Sequence, residues 1–421
     1  MKSVSLSSPR HLAGTVKPSM LDGVARRGVL RQLQRLEAGR LRLADGDRLL
    51  EFGSVGDAPQ ARIEVVDPQF YSEVAFGGPI GGGEAYMHGY WNCDDLVALV
   101  RLLLQNRPVL DGMEGGAARL TAPLQKLFHR VNRNTHQGAR RNIAAHYDLG
   151  NEFFALWLDE TMMYSSALFK TPDMSLNEAQ LARLAYICER LQLTADDHVV
   201  EIGSGWGGFA VYAASRHGCR VTTTTISKEQ YEYARARVAA AGLQDYVTVL
   251  MDDFRDLEGR YDKLVSIEMI EAIDHNLFEP FFRKCSDLLK PDGAMLLQAI
   301  TIADQRYEQY RKSIDFIQRY IFPGSGLPSS AVMTAAAARA TDLRLLGLED
   351  IGLHYAETLR CWRKNFFAHI DSVRRQGFSE AFIRMWEYYL CYCEGAFLER
   401  AISDVQILFS KPACRLRLQP R

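Results

Sequence analysis

Val199-Val200-Glu201-Ile202-Gly203-Ser204-Gly205-Trp206-Gly207-Gly208 is an apolar run ending in closely spaced glycines, the pattern of a buried strand that turns tightly into a helix. Glycine suits that turn because the backbone takes dihedrals a Cβ resists, and because a ligand can then approach the main chain closely. A cofactor is expected there. Gly203, Gly205 and Gly208 also satisfy Gly-x-Gly-x-x-Gly, the spacing of dinucleotide sites.

The next strand decides against a dinucleotide. A nicotinamide site has a carboxylate about 20 residues on to hold the ribose hydroxyls, whereas Val221-Thr222-Thr223-Thr224-Thr225-Ile226-Ser227 is followed by no acid before Glu229. The threonines still offer hydroxyls to a ribose or an amino-acid moiety. The stronger candidate is S-adenosylmethionine, whose methyltransferases share the glycine turn but bind no pyrophosphate.

On both sides of this stretch helix and strand alternate: helix 175–193, strand 198–202, helix 207–217, strand 219–225, helix 227–241, strands 246–251 and 262–268, helix 276–290 and strand 293–300. That alternation predicts a doubly wound α/β sheet. Lys290-Pro291-Asp292-Gly293 supplies the turn before the last strand. Residues 303–330 interrupt it with a helical insertion rich in tyrosine and arginine, closed by Phe322-Pro323-Gly324-Ser325-Gly326-Leu327-Pro328. An insertion after a strand's carboxyl end commonly covers an active site.

The 421 residues allow two domains. Residues 1–20 read as a mobile tail. Residues 21–114 read as a small α+β domain with a basic helix (Arg26, Arg27, Arg31, Arg35), short alternating segments at 41–43 and 61–66, a glycine cluster from Gly77 to Gly83 and a helix over 94–105 capped by Asp94 and Asp95. Between Gly115 and Tyr147 no Asp or Glu occurs, while Arg119, Lys126, Arg130, Arg133, Arg140 and Arg141 accumulate beside Leu120, Leu124, Leu127, Phe128 and Val131 at helical spacing. Residues 115–140 therefore read as a basic linker helix, suited either to anionic lipid or to packing between domains. The remainder, 141–421, reads as one domain.

Net charge is −1, so nothing global argues for nucleic acid. No apolar run reaches the roughly 20 residues that span a bilayer, so membrane contact is expected to be peripheral. Eight cysteines without paired C-x-x-C spacing predict reduced cytosolic thiols and no structural zinc or other metal site.

Chemistry-bearing residues gather at the expected carboxyl edge of the sheet. Asp252-Asp253-Phe254 follows the third strand, where a carboxylate suits an adenine amino group and a ring suits the base. Glu268-Met269-Ile270-Glu271-Ala272-Ile273-Asp274-His275 follows the fourth, with Glu271 the better catalytic candidate. His146-Tyr147-Asp148-Leu149-Gly150-Asn151 and Thr161-Met162-Met163-Tyr164-Ser165-Ser166 precede the sheet and suit the far side of the cofactor. The C-terminal aromatics Phe366, Phe367, Trp386, Tyr388, Tyr389, Tyr392, Phe397 and Phe409 are expected mostly in the core.

These motifs, with Thr-Ile-Ser-Lys-Glu-Gln (225–230), Tyr-Ile-Phe-Pro-Gly (320–324), Ile-Gly-Leu-His-Tyr (351–355) and Gly-Glu-Ala-Tyr-Met (83–87), together resemble the cyclopropane-fatty-acyl-phospholipid synthases. The resemblance is close from Arg141 to the C-terminus. It implies a Rossmann-like methyltransferase sheet with a helical insertion, and transfer of a methyl(ene) group from S-adenosylmethionine to the cis double bond of an unsaturated acyl chain in a membrane phospholipid. It also implies a protein peripheral on the inner membrane, and a possible homodimer. The cofactor pattern falls on Tyr164, Ser165, Gly203, Gly205, Gly207, Thr225, Gln230, Asp253 and Phe254.

Methylating an alkene creates a carbocation, and closing the three-membered ring requires removal of a proton from the added methyl. The resemblance implies a bound bicarbonate ion as that base, at Glu271, Tyr355, the backbone of Ile300, Gln298 and Ser166. Two positions depart from the pattern of bacterial members, whose Cys is Ser166 here and whose His is Gln298. Glutamine cannot relay a proton as histidine can, so a methyl-branched or methylene product is the rival outcome. A lipid-binding scaffold without turnover and a methyltransferase of small soluble nucleophiles are the rivals from other classes.

Overall fold

Ser19 starts the first helix, Met20–Leu33, with a reciprocal cap: its hydroxyl receives the Asp22 amide at 3.1 Å while Asp22 receives the Ser19 amide at 2.9 Å. This computed structural model describes residues 19–54, 56, 58–115 and 149–417. The basic segment 115–140, apart from Gly115, and His146, Tyr147 and Asp148 lie outside the described residues.

Two compact units emerge. The first holds a four-stranded sheet of β1 (Arg40–Asp45), β2 (Arg48–Gly53), β3 (Gln60–Val65) and β4 (Trp91–Cys93) in the order β2-β1-β3-β4. Alternation along β1 turns Leu41 and Leu43 fully inward. The glycine cluster lies within the helical segment Gln69–Met87, broken at Gly78 (φ 58°) just before Pro79. Packing explains its glycines, since a Cβ on Gly83 would fall 2.6 Å from the Phe316 ring and one on Gly81 2.0 Å from the Glu73 carbonyl. Asp95 alone caps the helix Leu96–Gln105, through the Ala98 amide at 2.9 Å, because Asp94 instead receives the Arg62 amide at 2.7 Å.

This unit also takes in Ser313–Ile321 and Trp362–Ala401, so the boundary differs from a division into 21–114 and 141–421. The reason is packing: the helix Glu380–Leu398 lies against Leu96–Gln105 and Gln69–Met87, and Gly395 meets Val100 so closely that a Cβ would sit 2.7 Å from it. Phe366, Trp386, Tyr389 and Phe397 are buried here, Tyr388 and Tyr392 are half-buried, and Phe367 is exposed.

The second unit is built on β5 (His198–Ile202), β6 (Arg220–Thr224), β7 (Val247–Leu250), β8 (Tyr261–Ile267), β9 (Leu289–Ile302), β10 (Arg344–Asp350) and β11 (Ile402–Ser410), in the order β10-β11-β9-β8-β5-β6-β7. The five strands from β9 to β7 run parallel; β11 and β10 are antiparallel additions. Successive residues face opposite layers: Val200, Ile202 and Leu264 join one core with Phe281 and Phe282, Val199 and Val265 another with Leu184 and Phe209. The expected turn at 290–293 is absorbed into β9 as a shift in register against β8, pinned by Lys290 on Asp262 at 2.7 Å.

The chain winds from β5 outward through β6 and β7, then crosses back to β8 on the other side of β5. The carboxyl ends of β5 and β8 therefore flank the point where the winding reverses, the place where open α/β sheets bind ligands. The sheet is the expected Rossmann-like methyltransferase architecture. Among the described residues no helix is long and apolar enough to cross a membrane, and none of the eight cysteines is joined in a disulfide.

Candidate active site

After β5 the backbone turns through Gly203 (φ 98°), Gly205 (φ 48°) and Gly207 (φ 82°). The Gly203 and Ser204 amides bond the Thr224 carbonyl at 3.0 and 2.8 Å, tying the turn to the end of β6. A Cβ on Gly205 would meet no atom within 4 Å, so an open cradle lies above this peptide. Gly208 has a different reason: its Cβ would fall 2.5 Å from the Met163 sulfur and 2.7 Å from the Thr161 carbonyl. Its glycine lets the 161–166 segment lie against the helix Gly208–His217.

That segment carries Tyr164 and Ser165. Tyr164 packs among Phe154, Trp157 and Phe322, and Phe154 also touches Trp206, whose indole donates to Asn151 at 2.6 Å. Ser165 is buried, and among the described residues its hydroxyl has no partner. At the end of β6, Thr225 donates to Gln230 at 2.8 Å, and the Gln230 amide donates to the Ser227 hydroxyl, which caps the helix Lys228–Ala240, at 3.3 Å. Both side chains are buried. Asp253 receives a fork from Arg255, at 2.7 and 2.6 Å. Phe254 is buried, edge-on to Phe281 at 5.5 Å.

The five residues expected at the reacting centre come together at the ends of β8 and β9, and Glu268 bonds three of them. Its Oε1 receives the Ser166 amide and Gln298 Nε2, each at 2.8 Å, and its Oε2 receives the Tyr355 hydroxyl at 2.8 Å. Glu268 takes a left-handed backbone (φ 49°), strain held by its own amide on the Gln298 carbonyl at 2.8 Å. Glu271 receives the Ile300 amide on Oε1, while Oε2 is buried without a partner among the described residues. Its carbonyl holds the Gly326 amide at 2.8 Å, fastening the 322–328 closure. Met269 links the two halves, its side chain sitting 3.1 Å from where a Gly203 Cβ would be.

The surroundings are buried and charged. Burial, reinforced by the Glu268 charge, pushes Glu271 up to about 8. Burial likewise pushes Glu201 to about 8, although the Thr223 hydroxyl bonds it at 2.6 Å. Asp404 is driven well above the ordinary carboxylate range by burial and by the negative charges of Glu268 and Glu271. Arg183, fully buried, is the cation that opposes Glu268 and Asp404. Burial also raises Glu268, but it receives three hydrogen bonds where Asp404 receives one, so the negative charge settles on Glu268 and a proton on Asp404.

Arg183, Asp404 and Gln406 escaped the sequence reading, and Glu268 entered it only as part of the cluster that contains Glu271. Gln298 Nε2 also donates to Asp404 at 2.9 Å, and Gln406 donates to Gln298 Oε1 at 3.0 Å. Asp404 and Gln406 lie on β11, opposite Ile300 and Gln298 of β9, and no local motif surrounds them. Glu268 had a signal, its place three residues before Glu271 at a strand's end.

Comparison with known proteins gives a consistent picture. Residues 134–407 match the family model described as mycolic acid cyclopropane synthetase. The tuberculostearic acid methyltransferase of Mycobacterium tuberculosis is 38% identical over 328 residues, 76% of each chain. The cyclopropane-fatty-acyl-phospholipid synthase of Escherichia coli K12 is 36% identical over 364 residues, 85% of this chain and 89% of that one. Among solved structures, a mycolic acid cyclopropane synthase complexed with SAH and CTAB superimposes with a TM-score of 0.61 at 30% identity, over 65% of this chain and 98% of that one. The chain belongs to the mycolic acid cyclopropane synthetase family of S-adenosylmethionine-dependent methyltransferases.

Proposed function

We propose that this protein transfers a methyl(ene) group from S-adenosylmethionine to the cis double bond of unsaturated acyl chains in membrane phospholipids, forming cyclopropane fatty acids. The observation that carries the reading is the pairing of an open glycine cradle after β5 with a buried, protonated Glu271 after β8, joined through Met269. The cradle at Gly205 and the unpartnered Ser165 hydroxyl suit the cofactor, which supplies an electrophilic methyl group. Gly203, Gly207, Tyr164, Thr225, Gln230, Asp253 and Phe254 are the other residues proposed to hold it.

A bicarbonate base fits in part. Protonated at neutral pH, Glu271 offers its Oε2 hydrogen to an anion. The Tyr355 hydroxyl and the Ile300 amide are committed to Glu268 and Glu271, and the Ser166 hydroxyl to the Ala167 carbonyl at 3.0 Å. Each would have to turn or share its hydrogen to serve such an ion.

Gln298 supports the rival product. Its amide is held at both ends, by Glu268 and Asp404 on one side and Gln406 on the other, and an amide does not relay protons. Where ring closure fails, a 1,2-hydride shift carries the cation onto the methyl-bearing carbon, and loss of a proton to base or water from the adjacent chain carbon or from the methyl leaves a methyl-branched or methylene chain. The basic residues of 115–140 are proposed to bring the enzyme to an anionic membrane surface as a peripheral protein, and the working form is proposed to be a homodimer.

The test is to incubate the purified protein with methyl-labelled S-adenosylmethionine and vesicles of monounsaturated phospholipid, and to identify the acyl products by mass spectrometry. A cyclopropane ring supports the first reading and a branched or methylene chain the second. Cofactor binding without labelled lipid would sink both.

A further inference from the structure

Gln180 and Arg183 stand about one turn apart on the helix Leu176–Leu191, and both are fully buried. Burying an amide and a guanidinium is costly unless they are bonded, and what they bond is the segment that carries Tyr164 and Ser165. Gln180 Nε2 donates to the Ser165 carbonyl at 2.8 Å and more distantly to the Met163 carbonyl at 3.4 Å. Its other end, Oε1, receives Arg183 Nη2 at 2.8 Å. A carbonyl only accepts and a guanidinium only donates, so a side chain that bridges the two needs one donor and one acceptor, which is what an amide has.

The Ser165 carbonyl and the Ser166 amide belong to one planar, trans peptide unit, whose oxygen and hydrogen point in opposite directions. Gln180 holds the oxygen, and Glu268 Oε1 receives the N–H at 2.8 Å. The plane between the two serines is thus clamped at both ends. Beside it sits the buried Ser165 hydroxyl, which has no partner among the described residues. The same helix holds the segment at two further points, where Asn177 donates to Asp159 at 3.0 Å and the Leu168 amide to the Ala179 carbonyl at 3.1 Å.

We propose that Gln180 is a positioning residue for the cofactor: it fixes the Ser165–Ser166 peptide, and with it the direction of the Ser165 hydroxyl, while Arg183 holds the amide the right way round. This rests on the reading of Tyr164 and Ser165 as cofactor residues. Without Gln180 only the N–H end of the peptide stays held, and the plane turns about that end.

The experiment is calorimetric titration of the full-length protein with S-adenosylhomocysteine, with thermal unfolding alongside, for the wild type, Gln180→Met and Leu191→Ala. Leu191 is fully buried on the same helix, two turns beyond Arg183, so its truncation destabilises through a cavity and leaves the clamp intact. The expected result is a Kd raised about tenfold in Gln180→Met, because a buried carbonyl loses its donor, and a lowered melting temperature with a wild-type Kd in Leu191→Ala. Should Gln180→Met fail to fold by circular dichroism, Gln180→Glu gives the second reading: its carboxylate keeps the contact with Arg183 but has no hydrogen for the Ser165 carbonyl, so the same loss is expected. A Kd within about twofold of wild type in the folded variant would overturn the proposal, and so would an equal loss in Leu191→Ala. A wild-type protein that does not bind S-adenosylhomocysteine would overturn the cofactor reading itself.

Discussion

Gln298 Nε2 lies 2.8 Å from Glu268 Oε1, and this contact ties the residue that replaces the expected histidine to the anion that orders the site. Through Glu268 the same charge reaches the Ser166 amide and the Tyr355 hydroxyl. Glu268 is therefore a positioning residue. Glu268→Gln would turn one acceptor into a donor facing other donors and leave Arg183 without its main counter-ion. The expected loss is about 1–3 kcal/mol in urea unfolding, the range for leaving buried hydrogen-bonding groups unpaired, with kcat falling while cofactor affinity stays near wild type. A variant as stable as wild type would remove the charge from this account.

Gln298→His should change the ratio of cyclopropane to branched or methylene product, read by mass spectrometry. An imidazole has two nitrogens to meet three present contacts, on Glu268, Asp404 and Gln406, so a small loss of stability accompanies the change. An unaltered ratio would take Gln298 out of product control.

Stability should fall with rising pH through the neutral range. Glu271 and Glu201 stand at about 8 when folded against 4.5 for the free carboxyl, so between these values the folded state keeps protons that the unfolded chain releases. Their contribution is complete below 4.5 and is lost as pH climbs through about 8. Each such proton tilts stability by about 1.4 kcal/mol per pH unit. Glu271→Gln should remove one slope from a series of urea unfolding curves; an unchanged pH dependence would contradict the assigned protonation.

Two alanine substitutions in the glycine turn should separate conformation from packing. At Gly205 the open space leaves only the cost of a left-handed backbone, about 1–2 kcal/mol, together with a methyl group in the cofactor cradle, so cofactor affinity should drop about tenfold or more for a modest stability loss. At Gly208 the methyl would collide with Met163 and Thr161 and displace the segment bearing Tyr164 and Ser165, so both stability and affinity should suffer. Calorimetric titration with S-adenosylhomocysteine and thermal unfolding read the two effects; equal losses at both positions would refute the distinction.

The alternating helix and strand pattern, the glycine turn and the threonine strand that excludes a dinucleotide were legible in the sequence, because each is written in local periodicity and in residue types that demand particular dihedrals. Glu271 was legible from its place after the fourth strand, and its grouping with Gln298, Ile300, Tyr355 and Ser166 through the family resemblance. Only the tertiary structure added Arg183, Asp404 and Gln406, since β11 comes to lie beside β9 through a pairing of distant segments that no local pattern records. Tertiary packing likewise gathered Ser313–Ile321 and Trp362–Ala401 with the first unit and closed the 77–83 glycines into a helical segment, because contact with Phe316 outweighs the intrinsic reluctance of glycine to be helical. The protonation of Glu271, finally, depends on how much water and how many charges surround it, and these are set by the packed structure rather than by the residue's neighbours in the chain.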